Sequence, residues 1–393
     1  MSTARVPVNP RLIKYYMEQA FLTEDDLSKK PTFKKLEDWL SGKLNPTFKQ
    51  LVDLSKELNV PVGYFFLEQP VDDTPDLIAY RTLESKENHS TASRELIENI
   101  QWVEDQQDFL SDYRQGQGFE KLDYVSKYEA YTLNDVEKLA DESRKLLDLP
   151  LFWQKDLKGQ TAFKYFRQRL NAIGTSVVVQ SQVALNTHRS LDLDEFRAFV
   201  LLDDYAPFIF INGKDSENGR LFSLLHEFGH ILLGQEDVLS DNELSDEVSQ
   251  AEQLCNAFAA EILVPQASFL DTWQDQVPPK DLIEDLSRTF KVSQVVIARR
   301  ALDAKLIDRD LYQGVVKEVR EQFNQSEAKR KRTSGGPDFW TTLKSRLDPL
   351  VTESVFNAYY EGNIRYSDAA NLLNLPVGTL NKLERRLQDK KGE

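Results

Sequence analysis

The sequence predicts an α+β protein, mainly helical with one small β-sheet. Three features lead there. Short capped helical stretches fill residues 1–70 and recur after Pro265. Three β-branched or aromatic runs cluster between 176 and 212, and the most apolar helical stretch of the chain follows them directly.

At 393 residues the chain has room for two to four domains and a sizeable core. Its layout divides into a bundle over 1–70, a polar helical region over 71–156, a central core over 157–270, a helical extension over 271–322, a linker over 323–337 and a helical domain over 338–393. No apolar run approaches the ~18 residues of a membrane span, and no signal pattern opens the chain, so a cytoplasmic location without membrane contact is expected. One cysteine, Cys255, excludes an internal disulfide framework and fits a reducing compartment. The net charge of −15 argues against a protein that coats nucleic acid. The acid is concentrated in the middle, however, because 1–70 holds ten basic and nine acidic residues and 327–393 holds twelve and nine. Nucleic-acid contacts would therefore belong to the ends.

Between Asn9 and Glu68 the chain reads as short helices with clear punctuation. Thr23 before Glu24, Asp25 and Asp26 is an N-cap with acids in the first turn. Thr32 is expected to cap FKKLEDWL, closed by Gly42, and Thr47 to cap FKQLVDLSKEL, closed before Pro61. This order suggests a helix-turn-helix in which Phe33 to Leu40 is the recognition helix. Thr32, Lys34 and Lys35 stand at its start, with Lys29, Lys30 and Lys43 placed for phosphates. Glu37 and Asp38 on the same helix would repel DNA, which leaves protein recognition or homodimer formation as the other use of this domain.

From Val71 to about Asp156 the chain is polar and helix-rich, with amphipathic stretches at 93–113 and 133–147. Gln160 to Ile173 is a basic amphipathic helix ended by Gly174. Then come SVVVQ (176–180), AFVLLD (198–203) and PFIFIN (207–212), strands that together make a sheet against the following helix. If Phe199 to Asp203 is an exposed edge, an extended peptide could add to it as a further strand.

That following helix, LFSLLHEFGHI, carries the chemistry. His226 and His230 lie one turn apart on one face, so both imidazoles can reach one metal, with Glu227 beside them. The bland alternative is two histidines packed in a core. Against it, the chain has four histidines in all, and two of them bracket a glutamate at ligand spacing. Two histidines and a water do not complete a tetrahedral site, so a third protein ligand is needed. The next amphipathic stretch, EVSQAEQLCNAFAAEIL, offers Glu252, with Asn256 one turn on to orient a ligand. Glu247 and Glu261 compete for the ligand role. Cys255 lies off the Glu252 stripe and reads as a small core residue. Such a set favours zinc (Zn2+) and hydrolysis, with Glu227 taking a proton from water and passing it to the leaving group. His188, Arg189 and Tyr205 are candidates for the oxyanion, each more simply read as structural.

HEFGH followed by EQLCNAFAAEILVP resembles the ImmA/IrrE family of zinc metallopeptidases. In that family's pattern HExxH precedes, after a variable loop, a glutamate four residues before an asparagine in an Asn-x-Phe-Ala run. Glu252, Asn256, Phe258 and Ala259 match those places, and Pro265 matches the proline that follows. Asn186 to Asn212 also looks like the family's stretch ahead of the metal helix. Cys255 and Leu254 depart from the usual residues without touching the proposed ligands. The segment from Trp39 to Pro70 resembles the XRE-type helix-turn-helix that precedes the peptidase in many relatives. The resemblance implies a zincin-like, gluzincin-type core and a regulatory protease that cleaves a transcriptional repressor or similar protein.

After Pro265, IEDLSRTFKVSQVVIARRALDAKLI reads as a helix-turn-helix-like element with Ser293 as N-cap. KRKR in the linker is read as solvated, and YSDAANLLNLPVGTLNKLERRL reads as two short helices around a tight turn. Two other functions compete with the enzyme: a DNA-binding regulator using a peptidase fold as sensor, and an antitoxin or toxin component acting by binding alone. Activity lost in Glu227→Gln separates the enzyme from the first, and a partner left at full length on a gel marks the second.

Overall fold

The structure, a computed structural model, describes residues 4–20, 22–72, 75, 92–187, 189–235, 238–239, 249–330 and 338–391. The chain divides into two compact units, Met1–Gln101 and Trp102–Glu393. No helix among the described residues is long and apolar enough to cross a membrane.

In the first unit α1 (Pro10–Gln19) starts at Asn9, whose side chain accepts from Arg11 N. Helix α2 (Glu24–Ser28) opens with a Thr23/Asp26 capping box, as the sequence suggests. The expected recognition helix divides instead. Pro31–Phe33 forms a 3-10 turn and only α3 (Leu36–Leu40) is α-helical. The break falls at Lys35, whose φ −109° and ψ 18° leave the helical range, while Phe33, Leu36 and Trp39 on either side of it are all buried. Thr32 therefore caps no helix, and its carbonyl accepts from Gln50 Nε2 at 3.5 Å. Gly42 ends the stretch at φ 74°, and α4 (Phe48–Glu57) follows with a Thr47/Gln50 capping box. Leu12, Tyr16, Trp39, Leu51, Leu54 and Phe65 build this unit's core.

The boundary between units falls inside α5 (Arg94–Gly116), and α6 (Val136–Leu146) and α7 (Ala162–Ala172) follow. The sheet holds β1 (Ser176–Gln180), β2 (Ala198–Leu201), β3 (Phe208–Asn212) and the two-residue β4 (Val238–Leu239), in the order β1-β3-β2-β4. β1 and β3 run parallel, with Ser176 opposite Phe208; β2 is antiparallel to β3, with Ala198 opposite Ile211. The edge expected to be free for a peptide is partly taken, because Ala198 and Phe199 of β2 pair with Leu239 and Val238. A two-residue strand carries no periodicity, so the sequence pattern did not reveal it.

Every residue of β1, β2 and β3 is buried, which explains why the middles of these runs are continuously apolar rather than alternating. Val177, Val179, Ala198, Val200, Ile209 and Ile211 face the main core. There they join residues of α8 (Glu217–Leu233) and α9 (Gln250–Leu263). The chain continues through α10 (Gln266–Thr272), α11 (Pro279–Phe290), α12 (Gln294–Asp303) and α13 (Arg309–Arg330), which takes in the first part of the expected linker.

Four C-terminal helices complete the unit: α14 (Phe339–Arg346), α15 (Pro349–Tyr360), α16 (Tyr366–Leu372) and α17 (Val377–Lys391). The buried Asp348 ties them to the sheet. Its carboxylate caps α15 and also accepts from Val177 N and Asn171 Nδ2, both at 2.8 Å. Arg167 donates to the carbonyls of Ser345 and Leu347 from the other side of the same junction.

Candidate metal centre

Helix α8 is held at both ends. At its start Ser216 Oγ accepts from Gly219 N, and Asp215 accepts from Ser216 N and pairs with Arg197 at 2.6 Å. Asp215 sits so close over the first turn that a Cβ on Gly219 would come within 2.3 Å of its carboxylate. At the other end Gly234 turns left-handed (φ 70°), and Gln235 N donates to His230 O. The orphan carbonyls of Ile231 and Leu232 accept from Ser126 N and Tyr128 N, both at 2.9 Å. The polar region before the sheet thus clamps the end of α8.

Between these clamps His226, Glu227 and His230 are fully or almost fully buried. His226 Nε2 and His230 Nε2 lie 3.0 Å apart. Glu252, on the first turn of α9, reaches both, with Oε2 3.1 Å from His226 Nε2 and Oε1 2.8 Å from His230 Nε2. Burial alone would raise the Glu252 carboxyl above its usual range; hydrogen bonds from the two imidazoles in their charged form outweigh it and hold the group well below that range. Asn256, one turn along α9, accepts at Oδ1 from His226 Nδ1 at 3.1 Å. That bond assigns the proton of a neutral His226 to Nδ1 and turns the Nε2 lone pair toward His230 and Glu252.

This donor set fits a cation. Two imidazole nitrogens and a carboxylate converge on one point in a buried setting, at separations close to the roughly 3 to 3.5 Å between ligands of one zinc ion. Among the described residues no other cluster of histidine, cysteine or acidic side chains is so placed.

The competing ligands fall elsewhere. Glu261 is buried in an ion pair with Arg300 at 2.6 Å and accepts from Gln266 N, so it braces the end of α9. Cys255 is a core residue. Glu247 and His188 lie outside the described residues. Tyr205 sits in the turn between β2 and β3, its amide held by Asp203 and its ring beneath Lys121; Arg189 donates its amide to Asn186 O in the loop after β1.

Gly229, in the middle of HEFGH, was passed over in the sequence. A Cβ there would lie 3.0 Å from Cys255 Sγ and 3.2 Å from Phe258 Cδ1. The missing side chain lets α9 approach α8 closely enough for Glu252 to reach both histidines. A glycine inside a helix costs about 1 kcal/mol relative to alanine, and that cost was the available signal of a packing demand.

Lys29 pairs with Asp26 at 3.4 Å and Lys30 with Glu57, while Lys34, Lys35 and Lys43 are exposed on a stretch that also exposes Glu37.

Residues 182–302 match the model of the IrrE N-terminal-like domain, peptidase family M78. The matched span runs from the loop after β1 through α12 and contains all four residues of the buried cluster and Asn256. It carries a peptidase-type domain, consistent with a zincin-like core of helices on a small sheet. A search among curated proteins finds no match to the chain.

Proposed function

We propose that the chain is a zinc-dependent endopeptidase that cleaves a regulatory protein, with a transcriptional repressor as the substrate the family resemblance favours. The single observation that carries this reading is the convergence of His226, His230 and Glu252 in a buried site beside Glu227.

His226, His230 and Glu252 would hold a divalent ion, which would supply Lewis acidity to lower the pKa of water toward neutrality and polarise a carbonyl. The chain's own residues do the rest. Asn256 fixes the His226 ring so that its Nε2 faces the site. Glu227 accepts the proton from the attacking water and returns it to the leaving amine. The hydrogen-bonded ends of α8 hold these groups in register.

The N-terminal unit supplies recognition of a partner. Its five-residue α3, the pairing of Lys29 and Lys30 with acids and the exposed Glu37 favour a protein surface, including a second copy of the chain, over DNA.

Adding the purified protein and zinc to a lysate of its host tests this reading, with new protein termini mapped by mass spectrometry. A small set of new termini is expected, lost with a chelator and restored by zinc. No new terminus at any zinc level would overturn the peptidase assignment.

A further inference from the structure

Helices α16 and α17 are joined by a turn of fixed geometry. Asn374 adopts a left-handed conformation (φ 51°), its amide donates to Asn371 O at 2.9 Å, and Leu375 N donates to Ala370 O at 2.9 Å. Ala369, Ala370, Leu373, Leu375, Leu380 and Leu383 are all buried, so the two helices close on each other across that turn. Val351, Val355 and Phe356 of α15 are buried as well. The carbonyl of Leu372, at the end of α16, accepts from Trp102 Nε1 (2.9 Å) and Gln106 Nε2 (2.6 Å). This is the build of a helix-turn-helix: three short helices, a turn with a left-handed residue, and a second helix whose outer face is left free.

The outer face of α17 carries Val377, Gly378, Thr379, Asn381, Lys382 and Arg385. Among its described side chains it presents no acid. Glu384 is turned aside, where it accepts from Tyr360 Oη at 2.8 Å and Tyr366 Oη at 3.1 Å. Lys382 and Arg385 are exposed and have no ion-pair partner among the described residues, and the Arg386 guanidinium lies over the Trp340 ring. A Cβ on Gly378 would meet nothing within 4 Å, so the fold itself does not require a glycine there.

We infer that α16 and α17 dock duplex DNA, with the N-terminal half of α17 in the major groove. Asn381 offers the donor and acceptor that read an adenine edge, and Lys382 and Arg385 meet guanine or phosphate. A chain of net charge −15 binds DNA through such a face only locally, by fit and a few cations rather than by bulk charge. The helix-turn-helix-like pair α11 and α12 lacks this property, because Arg299 is held by Asp303 at 3.0 Å and Arg300 is buried against Glu261.

The test uses the full chain and a pool of duplexes with a random core of about 20 bp, two turns of helix, selected by gel retardation. A preferred sequence is expected to emerge. Against that duplex, Lys382→Ala and Arg385→Ala each weaken binding about 10- to 100-fold, and Asn381→Ala changes the preferred base at one position. Lys34→Ala/Lys35→Ala binds as wild type. All five positions altered in α17 and the N-terminal unit are exposed, and unchanged thermal melting confirms folding of each variant. Retention of the pool without sequence preference would overturn the inference. So would binding lost in Lys34→Ala/Lys35→Ala but kept in the α17 variants, or a chain that retains no duplex and instead captures only protein.

Discussion

Glu227→Gln is expected to lower peptide-bond cleavage about 10^2- to 10^4-fold while leaving zinc content at the wild-type level. Glu227 is fully buried on α8, so the isosteric amide preserves volume and packing. What it removes is the capacity to take a proton from water and return it to the amine. Because a buried carboxylate is costly to hold ionised, the variant should melt no lower than wild type. The readout is cleavage of a substrate found through its new termini, with the variant protein retaining that substrate uncut in a pull-down. Wild-type cleavage by Glu227→Gln would remove the glutamate from the chemistry and favour a binding module.

Arg300→Met is expected to destabilise the second unit by about 3 to 5 kcal/mol, because it leaves Glu261 buried without its counter-charge. Burial already disfavours the charged form at both ends of this pair, raising Glu261 and lowering Arg300 from their ordinary ranges. The short contact of 2.6 Å and the amide of Gln266 keep the pair ionised. Without Arg300, the folded-state pKa of Glu261 lies above its unfolded value of about 4.3. Such a group contributes its full stability only below the unfolded pKa and loses it as pH rises toward the folded one. The gap between variant and wild type should therefore widen from pH 5 to pH 8 in urea titrations. Arg300→Met/Glu261→Gln should recover much of the loss and flatten the pH dependence; a deficit independent of pH would mean that lost packing dominates.

The chemistry was the most legible part of this sequence, for a physical reason. The spacing of His226 and His230 is a property of any α-helix, and the Asn256–His226 contact follows from the same periodicity on α9. The Thr23 and Thr47 capping boxes and the three apolar strands were readable for similar local reasons. The elements that misled or stayed hidden depend on distant partners. The break at Lys35 leaves Phe33, Leu36 and Trp39 all buried in one core, which residues distant in the chain complete. The pairing of β4 with β2, the closeness that demands Gly229 and the anchoring of α15 to β1 through Asp348 all join residues far apart in the chain. The outer face of α17 was likewise invisible, because freedom from partners is a property of the folded surface.

Zinc content by mass spectrometry on purified wild-type, His226→Ala and Glu252→Ala protein tests the central claim most directly. The account predicts about one zinc per chain in wild type after reconstitution and none in either variant, with Asn256→Ala weakened roughly 10- to 100-fold in affinity. Zinc retained by Glu252→Ala would move the third ligand to another residue. A wild-type protein that holds no zinc would contradict the metal centre itself.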